Sequence, residues 1–284
     1  MRNSSCWVPA AIAASFVISN SPLAQEAAAG SGTAGDGAAA SDLAKQLSNP
    51  VADLVSVPLQ FNFASGVGPD EATRTILNMQ PVVPFTLNDD WNIIGRWIMP
   101  VVSQPSLGSG LGPSSGMGDI VFSAFFSPRN TQGVTWGVGP VLSLPVSADP
   151  VLGSGKWSAG PTFVGLKQTG PWTYGFLVNY LWSFANATNE PRSDVGTGFF
   201  QPFLSYGTPD GVTYSVNSEM SYNSKASSGN KWTVPINVSV SKVTRFGPFP
   251  FSIGGGLGWY ADAPDGGPEW QLRAQFTLIL PRGQ

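Results

Sequence analysis

The stretch WQLRAQFTLIL, residues 270–280, decides how the rest of the chain is read. Trp270, Leu272, Ala274, Phe276, Leu278 and Leu280 share one parity, whereas Gln271, Arg273, Gln275 and Thr277 share the other, with Ile279 alone out of step. Successive side chains of a strand point to opposite faces. One face here is therefore apolar over its whole length, and the other carries amides and a guanidinium. A strand that divides lipid from a wet interior has this pattern.

The same period of two runs back to Val55. Twelve segments carry it, at roughly 55–64, 72–84, 91–103, 117–127, 133–146, 156–167, 171–184, 194–207, 211–222, 231–242, 249–260 and 269–280. The clearest alternation sets Trp172, Tyr174, Phe176, Val178, Tyr180, Trp182 and Phe184 against Thr173, Gly175, Leu177, Asn179, Leu181 and Ser183. Trp232, Val234, Ile236, Val238 and Val240 likewise oppose Thr233, Pro235, Asn237, Ser239 and Ser241. The third segment is less tidy: Trp91, Ile93, Trp97 and Met99 oppose Asn92 and Arg96, but Ile94 and Ile98 fall on the polar side. Connections alternate as well. Short links such as TLNDD, QTGP and TPDG follow the even segments, and generally longer ones such as PSLGSGLGPSSG and NATNEPR follow the odd. That is the asymmetry of a barrel with one end toward the periplasm and the other toward the exterior.

A segment of about 10 to 12 residues, tilted near 45°, crosses a hydrocarbon core. Unpaired backbone groups there cost several kcal/mol each, so the sheet must close on itself and leave no edge. The expected fold is all-β: a twelve-stranded antiparallel transmembrane β-barrel over residues 55–281, with a short N-terminal helix. A soluble β-sandwich or soluble barrel also has alternating strands and turn signals. Twelve strands of this length are long for a sandwich, whose strands average about five or six residues. Trp91, Trp136, Trp157, Trp172, Trp182, Trp232, Trp259 and Trp270 fall near strand ends, the positions of interfacial girdles. The same parity sends Gln60, Asn62, Arg74, Asn78, Gln80, Arg96, Asp119, Asn217, Glu219, Asn237, Gln271, Arg273 and Gln275 into the lumen, where they either brace a polar core or line a permeation path. In-strand prolines, among them Pro81, Pro100, Pro140, Pro161, Pro202 and Pro235, count against regular strands because each removes a ladder donor.

Composition agrees with this reading. Charged residues are 11% of the 284, against about 25% in an ordinary soluble domain. Residues 1–24 read as a secretory signal peptide that takes the single cysteine, Cys6, with it. Residues 25–40 read as a flexible lead-in, and 41–54 as a short periplasmic helix capped by Ser41 and stopped before Pro50, with its connection to the barrel. Histidine is absent, which excludes Ser-His-Asp and Cys-His catalysis and the usual zinc sets. No cofactor and no enzymatic activity are expected. A net charge of −3 without basic clusters gives no footprint for nucleic acid.

Several ordered motifs resemble one bacterial family: LSNPVADLVSVPLQFNFASGVGP (47–69), ILNMQPVVPFTLNDDWNIIGRWIMPVVSQP (76–105), GMGDIVFSAFFSP (116–128), the long run from Gly137 to Ala185, and QPFLSYG (201–207). This is the outer-membrane barrel family named for the meta-pathway of phenol degradation, often mislabelled neuromedin U. Asn49–Pro50 match its NP turn, Pro58–Gln60 its VPLQ segment, Gly118–Asp119 its GD strand start, Gly139–Pro140 its GP pair, Gly155–Trp157 its GKWS-like segment, and Asp194 its sequence before the eighth strand. Two departures are GTGFF before QPFLSYG and the ending PRGQ, where many outer-membrane barrels end on an aromatic residue. The resemblance implies a barrel in the outer membrane of a Gram-negative cell, in contact with its lipids and with the barrel assembly machinery. It also implies passive passage of a small-molecule solute, aromatic or otherwise hydrophobic. The competing expectation is a structural or surface-interaction barrel without transport.

Overall fold

Val55 and Leu280 stand opposite each other, the first of eleven register pairs that run to Ser65 opposite Trp270. The first strand, β1 (Val55–Val67), thus pairs antiparallel with the last, β15 (Trp270–Leu280), and the sheet has no free edge. The computed structural model describes residues 32–280 apart from positions 109, 132, 148, 190, 191 and 248. The expected signal peptide and Cys6 lie outside the described residues.

Between these strands run β2 (Ala72–Met79), β3 (Val82–Thr86), β4 (Trp91–Gln104), β5 (Ser114–Met117), β6 (Ile120–Pro128), β7 (Val134–Leu144) and β8 (Lys156–Thr169). Then come β9 (Trp172–Asn186), β10 (Gly196–Gly207), β11 (Val212–Asn217), β12 (Met220–Asn223), β13 (Trp232–Phe246) and β14 (Phe249–Asp262). Three staves of the barrel are each made of two strands in line: β2 with β3 between β1 and β4, β11 with β12 between β10 and β13, and β5 with β6, both of which pair with β4. Fifteen strands therefore make twelve staves.

The prolines explain those interruptions. The β2–β3 break holds Pro81, whose carbonyl still accepts from Trp97 N at 3.1 Å. At the β5–β6 break Gly118 N donates to Pro100 O at 2.9 Å. At the β11–β12 break Ser218 N donates to Pro202 O at 3.1 Å, and its Oγ to Pro235 O at 2.5 Å. Pro140 and Pro161 face each other across β7 and β8. A proline lacks only the donor. Its carbonyl remains usable, and here it is used.

The outer face is apolar. On β9, Trp172, Tyr174, Phe176, Val178, Trp182 and Phe184 are exposed while Thr173, Leu177 and Leu181 are buried; on β15, Trp270, Leu272, Leu278 and Leu280 are exposed while Gln271, Arg273 and Thr277 are buried. Exposed apolar area on this scale around a closed sheet needs a nonpolar solvent. The aromatic residues form two bands. Trp91, Trp136, Trp172 and Tyr206 lie toward the short-turn end, with Trp91 set edge-on to Trp136 and Trp172 to Tyr206. Trp157, Trp182, Trp232, Trp259 and Trp270 lie toward the long-loop end, with Trp259 directly opposite Trp270. From Trp172 to Trp182 along β9 is about 34 Å of strand, or roughly 26 Å along a barrel axis at a tilt near 40°, close to the height of an outer-membrane apolar belt.

The N-terminal helix departs from expectation. Helix α1 spans Gly32–Leu47, nine residues longer at its start than the Ser41 cap predicts, and takes in part of the stretch read as a flexible lead-in. Three glycines in its first six residues weaken the lead as a helix, and docking of its continuation outweighs that: Ala40, Leu43, Ala44 and Leu47 pack with Val243 and Ile279. Ile279, the residue out of step in the quoted strand, is inward because the helix covers it. The helix lies across the short-turn end, where Gln168 donates from Nε2 to Lys45 O at 2.9 Å and Ala40 abuts Gly211. Beyond it, Ser48 N and Oγ both bond Ala44 O, and Asn49 Oδ1 accepts from Val51 N. The chain then carries Val51 into the barrel interior.

Neighbouring staves approach most closely at Gly139 and Gly160, where no side chain fits. A Cβ on Gly139 would lie 1.8 Å from Ala124 O, and one on Gly160 would lie 1.7 Å from Tyr180 O. Gly139→Val or Gly160→Val is expected to abolish the compact, heat-modifiable species seen on unheated electrophoresis, whereas Gly112→Val, whose Cβ meets nothing within 4 Å, retains it.

Candidate functional site: the barrel interior

The interior has two unlike sides. On one, β13, β14, β15, β1 and β2 project polar residues in register: Asn237 faces Gly258, which faces Gln271, and Arg273 faces Asn62, while Gln60 faces both Gln275 and Asn78. Directly opposed residues share a face, so the parity that put these residues inside also brings them together. Arg273 is 7% exposed and fully engaged. Its Nη1 and Nη2 donate to Glu219 Oε1 and Oε2 at 3.0 and 2.8 Å, and its Nε to Asn62 Oδ1 at 2.8 Å. The two-pronged geometry fits a guanidinium fork to a carboxylate. Glu219 sits at the β11–β12 break, where the interrupted strand frees its side chain to cross the lumen.

One chain of bonds starts from this pair, and a second runs beside it. Gln60 Nε2 donates to Asn62 Oδ1 at 3.2 Å, Gln80 Nε2 to Gln60 Oε1 at 3.5 Å, and Arg96 Nη2 to Gln80 Oε1 at 2.9 Å. On the other side Tyr260 OH donates to Gln271 Oε1, Gln271 Nε2 to Asn237 Oδ1, and Asn237 Nδ2 to Asn217 Oδ1, at 3.1, 2.6 and 3.0 Å. Buried polar groups that are all partnered stiffen one another.

The opposite side is apolar. Ile94, Phe125, Val164, Leu166 and Leu177 form a buried cluster with Val51 of the N-terminal segment, against which Val82, Phe199 and Phe203 pack. Ile94 occupies an inward position among polar neighbours because its stave meets this cluster. Between the network, the apolar cluster and the end of α1 lies a cavity of about 250 Å³. Gln80, Arg96, Glu219 and Arg273 border it, with a ladder of hydroxyls from Ser205, Thr213, Ser215, Ser239, Ser241, Ser252 and Thr277. Leu47, Asn49 and Pro50 border its short-turn side.

Of the residues expected inside, Gln60, Asn62, Gln80, Arg96, Glu219 and Arg273 are joined in one chain of hydrogen bonds, and Asn217, Asn237 and Gln271 in a second with Tyr260. Gln275 borders the cavity and bonds Thr277 Oγ1 at 3.4 Å. Asn78 and Arg74 face inward by register, opposite Gln60 and Ala64, and Arg74 Nε is buried without a hydrogen-bond partner. Asp119 sits apart: it accepts from Ser154 N and Oγ, both at 2.7 Å, and holds the following loop at the long-loop end. Sequence reasoning placed Ser239 and Ser241 correctly but assigned no role to the hydroxyl ladder, and it missed Val51 as part of the interior. The turn before Val51 was legible, but its destination depended on a hole that exists only once the barrel closes.

At the long-loop end Lys156 pairs with Asp194 at 3.0 Å. That hydrogen bond and charge hold the Asp194 carboxyl below its usual range, and a hydrogen bond from Ser114 does the same for Asp149. Among the described residues no group of three or more His, Cys, Asp and Glu side chains is placed to hold a metal ion.

The architecture matches solved outer-membrane barrels. An outer membrane channel from Pseudomonas putida F1 superposes with a TM-score of 0.60 at 14% identity, covering 81% of this chain and 97% of that one. The NanC porin gives 0.50 at 10% identity, over 80% and 99%. The CymD monoaromatic hydrocarbon channel gives 0.46 at 10% identity, over 89% and 94%. No family model matches the chain, and no curated protein sequence does. The fold is that of the outer-membrane β-barrels: a closed, twelve-stave, antiparallel transmembrane barrel with an apolar outer belt.

Removing one member of the Arg273–Glu219 pair strands the other inside the barrel. Arg273→Met or Glu219→Gln is expected to lower unfolding free energy in lipid vesicles by about 2–4 kcal/mol, less than for a dry pair because Glu219 is partly wetted, with the double variant closer to wild type than the sum of the singles. For Asp194 the depressed folded pKa means that its contribution is complete above the ordinary aspartate value of about 3.9 and is lost as pH falls through the lower folded value. Acidification through that range should release the Lys156–Asp194 contact, read as faster exchange of the neighbouring Val195 amide, and Lys156→Met should remove the pH step.

Proposed function

We propose that the protein is a passive channel for small solutes in the outer membrane of a Gram-negative cell, and that α1 with residues 48–54 sets the resistance of its periplasmic end. The observation that carries this reading is the two-sided interior. A polar strip descends from Tyr260 and Gln271 near the loops to the hydroxyl-lined cavity near the short turns, and at the level of the cavity an apolar wall faces it. A barrel kept only as a scaffold would be served by an interior filled to native density. The similarity to an outer membrane channel and to a porin supports the same assignment. The aromatic belts support a position between headgroup layers, with the outer-membrane lipids as surroundings, and the assembly machinery of that membrane is the proposed route of insertion. The expected inner residues other than Arg74, Asn78 and Asp119 serve as the lining of the path, with Arg273–Glu219 as its fixed waist.

An interior with one polar and one apolar wall suits an amphipathic solute, whose ring or chain lies on the Phe203 side while its polar head exchanges hydrogen bonds along the strip. Aromatic compounds with a polar substituent are such solutes. No energy source is required, and the chemistry expected is transfer without reaction.

In planar bilayers the intact chain is expected to give small unitary conductance. A chain lacking residues 32–50 should conduct several-fold more, because the segment that caps the cavity is gone. Absence of conductance from both proteins, with the barrel correctly folded, would favour the structural or surface-binding alternative.

A further inference from the structure

The lumen holds Arg74, Arg96 and Arg273 but, at the level of the network, one carboxylate, Glu219. Both oxygens of Glu219 are held by Arg273, whose third donating nitrogen is held by Asn62. That pair is satisfied within itself. Arg96 is different. Its guanidinium borders the cavity and bonds a neutral amide oxygen, that of Gln80 at 2.9 Å, and among the described residues it makes no ion pair. Glu219 is the sole carboxylate bordering the cavity. A guanidinium carries five N–H donors and does not lose its proton. Held away from bulk water beside a carboxylate already engaged elsewhere, it retains an unfilled demand for an anion.

The rest of the cavity fits one kind of anion. Hydroxyls of Ser239 and Ser241 supply donors, Ser205 and Ser215, bonded to each other at 3.0 Å, leave one more, and Phe203 supplies an aromatic wall continuous with the apolar cluster. The C-terminal end of α1 also borders the cavity and brings about half a negative charge. Its effect is blunted because Ser48 and Asn49 bond back to the carbonyls of Ala44 and Gln46, so the full charge of Arg96 prevails. We propose that this cavity is a binding site for small monocyclic aromatic carboxylates, with the carboxylate on Arg96 and the ring toward Phe203, and that it makes the pore anion-selective. The selectivity rests on the channel reading above; the binding does not.

Calorimetric titration of the purified full-length chain in detergent with sodium benzoate and with benzamide, a neutral molecule of nearly the same shape, tests the site. Saturable benzoate binding is expected, at least tenfold tighter than benzamide. Arg96→Gln should weaken benzoate binding at least tenfold, while Arg74→Gln, outside the cavity lining, should leave it within twofold. Equal binding of the two ligands, or unchanged benzoate binding by a folded Arg96→Gln protein, would overturn the proposal. Should Arg96→Gln fail to fold, the benzoate-to-benzamide ratio on the wild type decides. In a KCl gradient the wild-type reversal potential should take the sign for chloride and move toward zero in Arg96→Gln. A cation-selective wild type would overturn the selectivity claim. Benzoate binding by a chain that conducts nothing would uphold the site and overturn passage.

Discussion

Closure of the sheet is the constraint on which everything else depends. A strand in hydrocarbon has no water to satisfy its backbone, and each orphaned group costs several kcal/mol. Pairing of β1 with β15 over eleven residues removes the last edge, and only then does an outer face of tryptophan, phenylalanine and leucine become tenable. The same closure makes an interior, whose contents are set by whatever the other parity supplies. Outer belt and inner network are therefore two readings of one alternation.

The interior is not uniform, and the N-terminal segment is the reason. A lumen lined wholly by polar side chains would fill with water; one lined wholly by apolar side chains would collapse onto its own core. Here Val51 enters the barrel and gives Ile94, Phe125, Val164, Leu166 and Leu177 a partner, while the strands on the far side keep their amides, guanidinium and hydroxyls. Helix α1 works the same way at the short-turn end, where Ala44 covers Val243 and Ile279. The segment contributes packing that the staves lack and leaves the polar side unfilled. That unfilled side is the cavity.

Much of this was legible from residue order. Period-two alternation located all twelve staves to within a few residues, and link lengths told one end from the other. Parity put Asn62, Glu219 and Arg273 on a common interior before any register was known. What stayed hidden has a shared physical origin. Ile279 and Ile94 read as irregularities because their inward apolar side chains answer to the N-terminal segment, distant in sequence and identifiable as a partner only after closure. The helix start was misjudged because Gly32, Gly35 and Gly37 weaken intrinsic helicity, while docking of the Ala40, Leu43 and Ala44 face, a tertiary effect, outweighs that loss. The prolines counted against regular strands on propensity alone, yet two of the breaks they mark are where Gln80 and Glu219 enter the network.

Those breaks carry a further consequence. An unbroken stave presents its inward residues at a fixed spacing and pitch, and a carboxylate held that way points straight at the barrel axis. At Ser218–Glu219 the ladder lapses for two residues, with the Ser218 N–H satisfied by the Pro202 carbonyl and the Ser218 hydroxyl by the Pro235 carbonyl. Glu219 is thereby free to reach across to Arg273 on a stave three removed from its own. Loss of ladder bonds in the wall is offset by a cross-lumen tie that an intact wall would not permit. Because the tie uses up the one carboxylate, it leaves Arg96, bonded only to an amide, as the dominant charge facing the cavity. The electrostatic character of the path thus follows from where the wall is broken as much as from which charges the sequence contains.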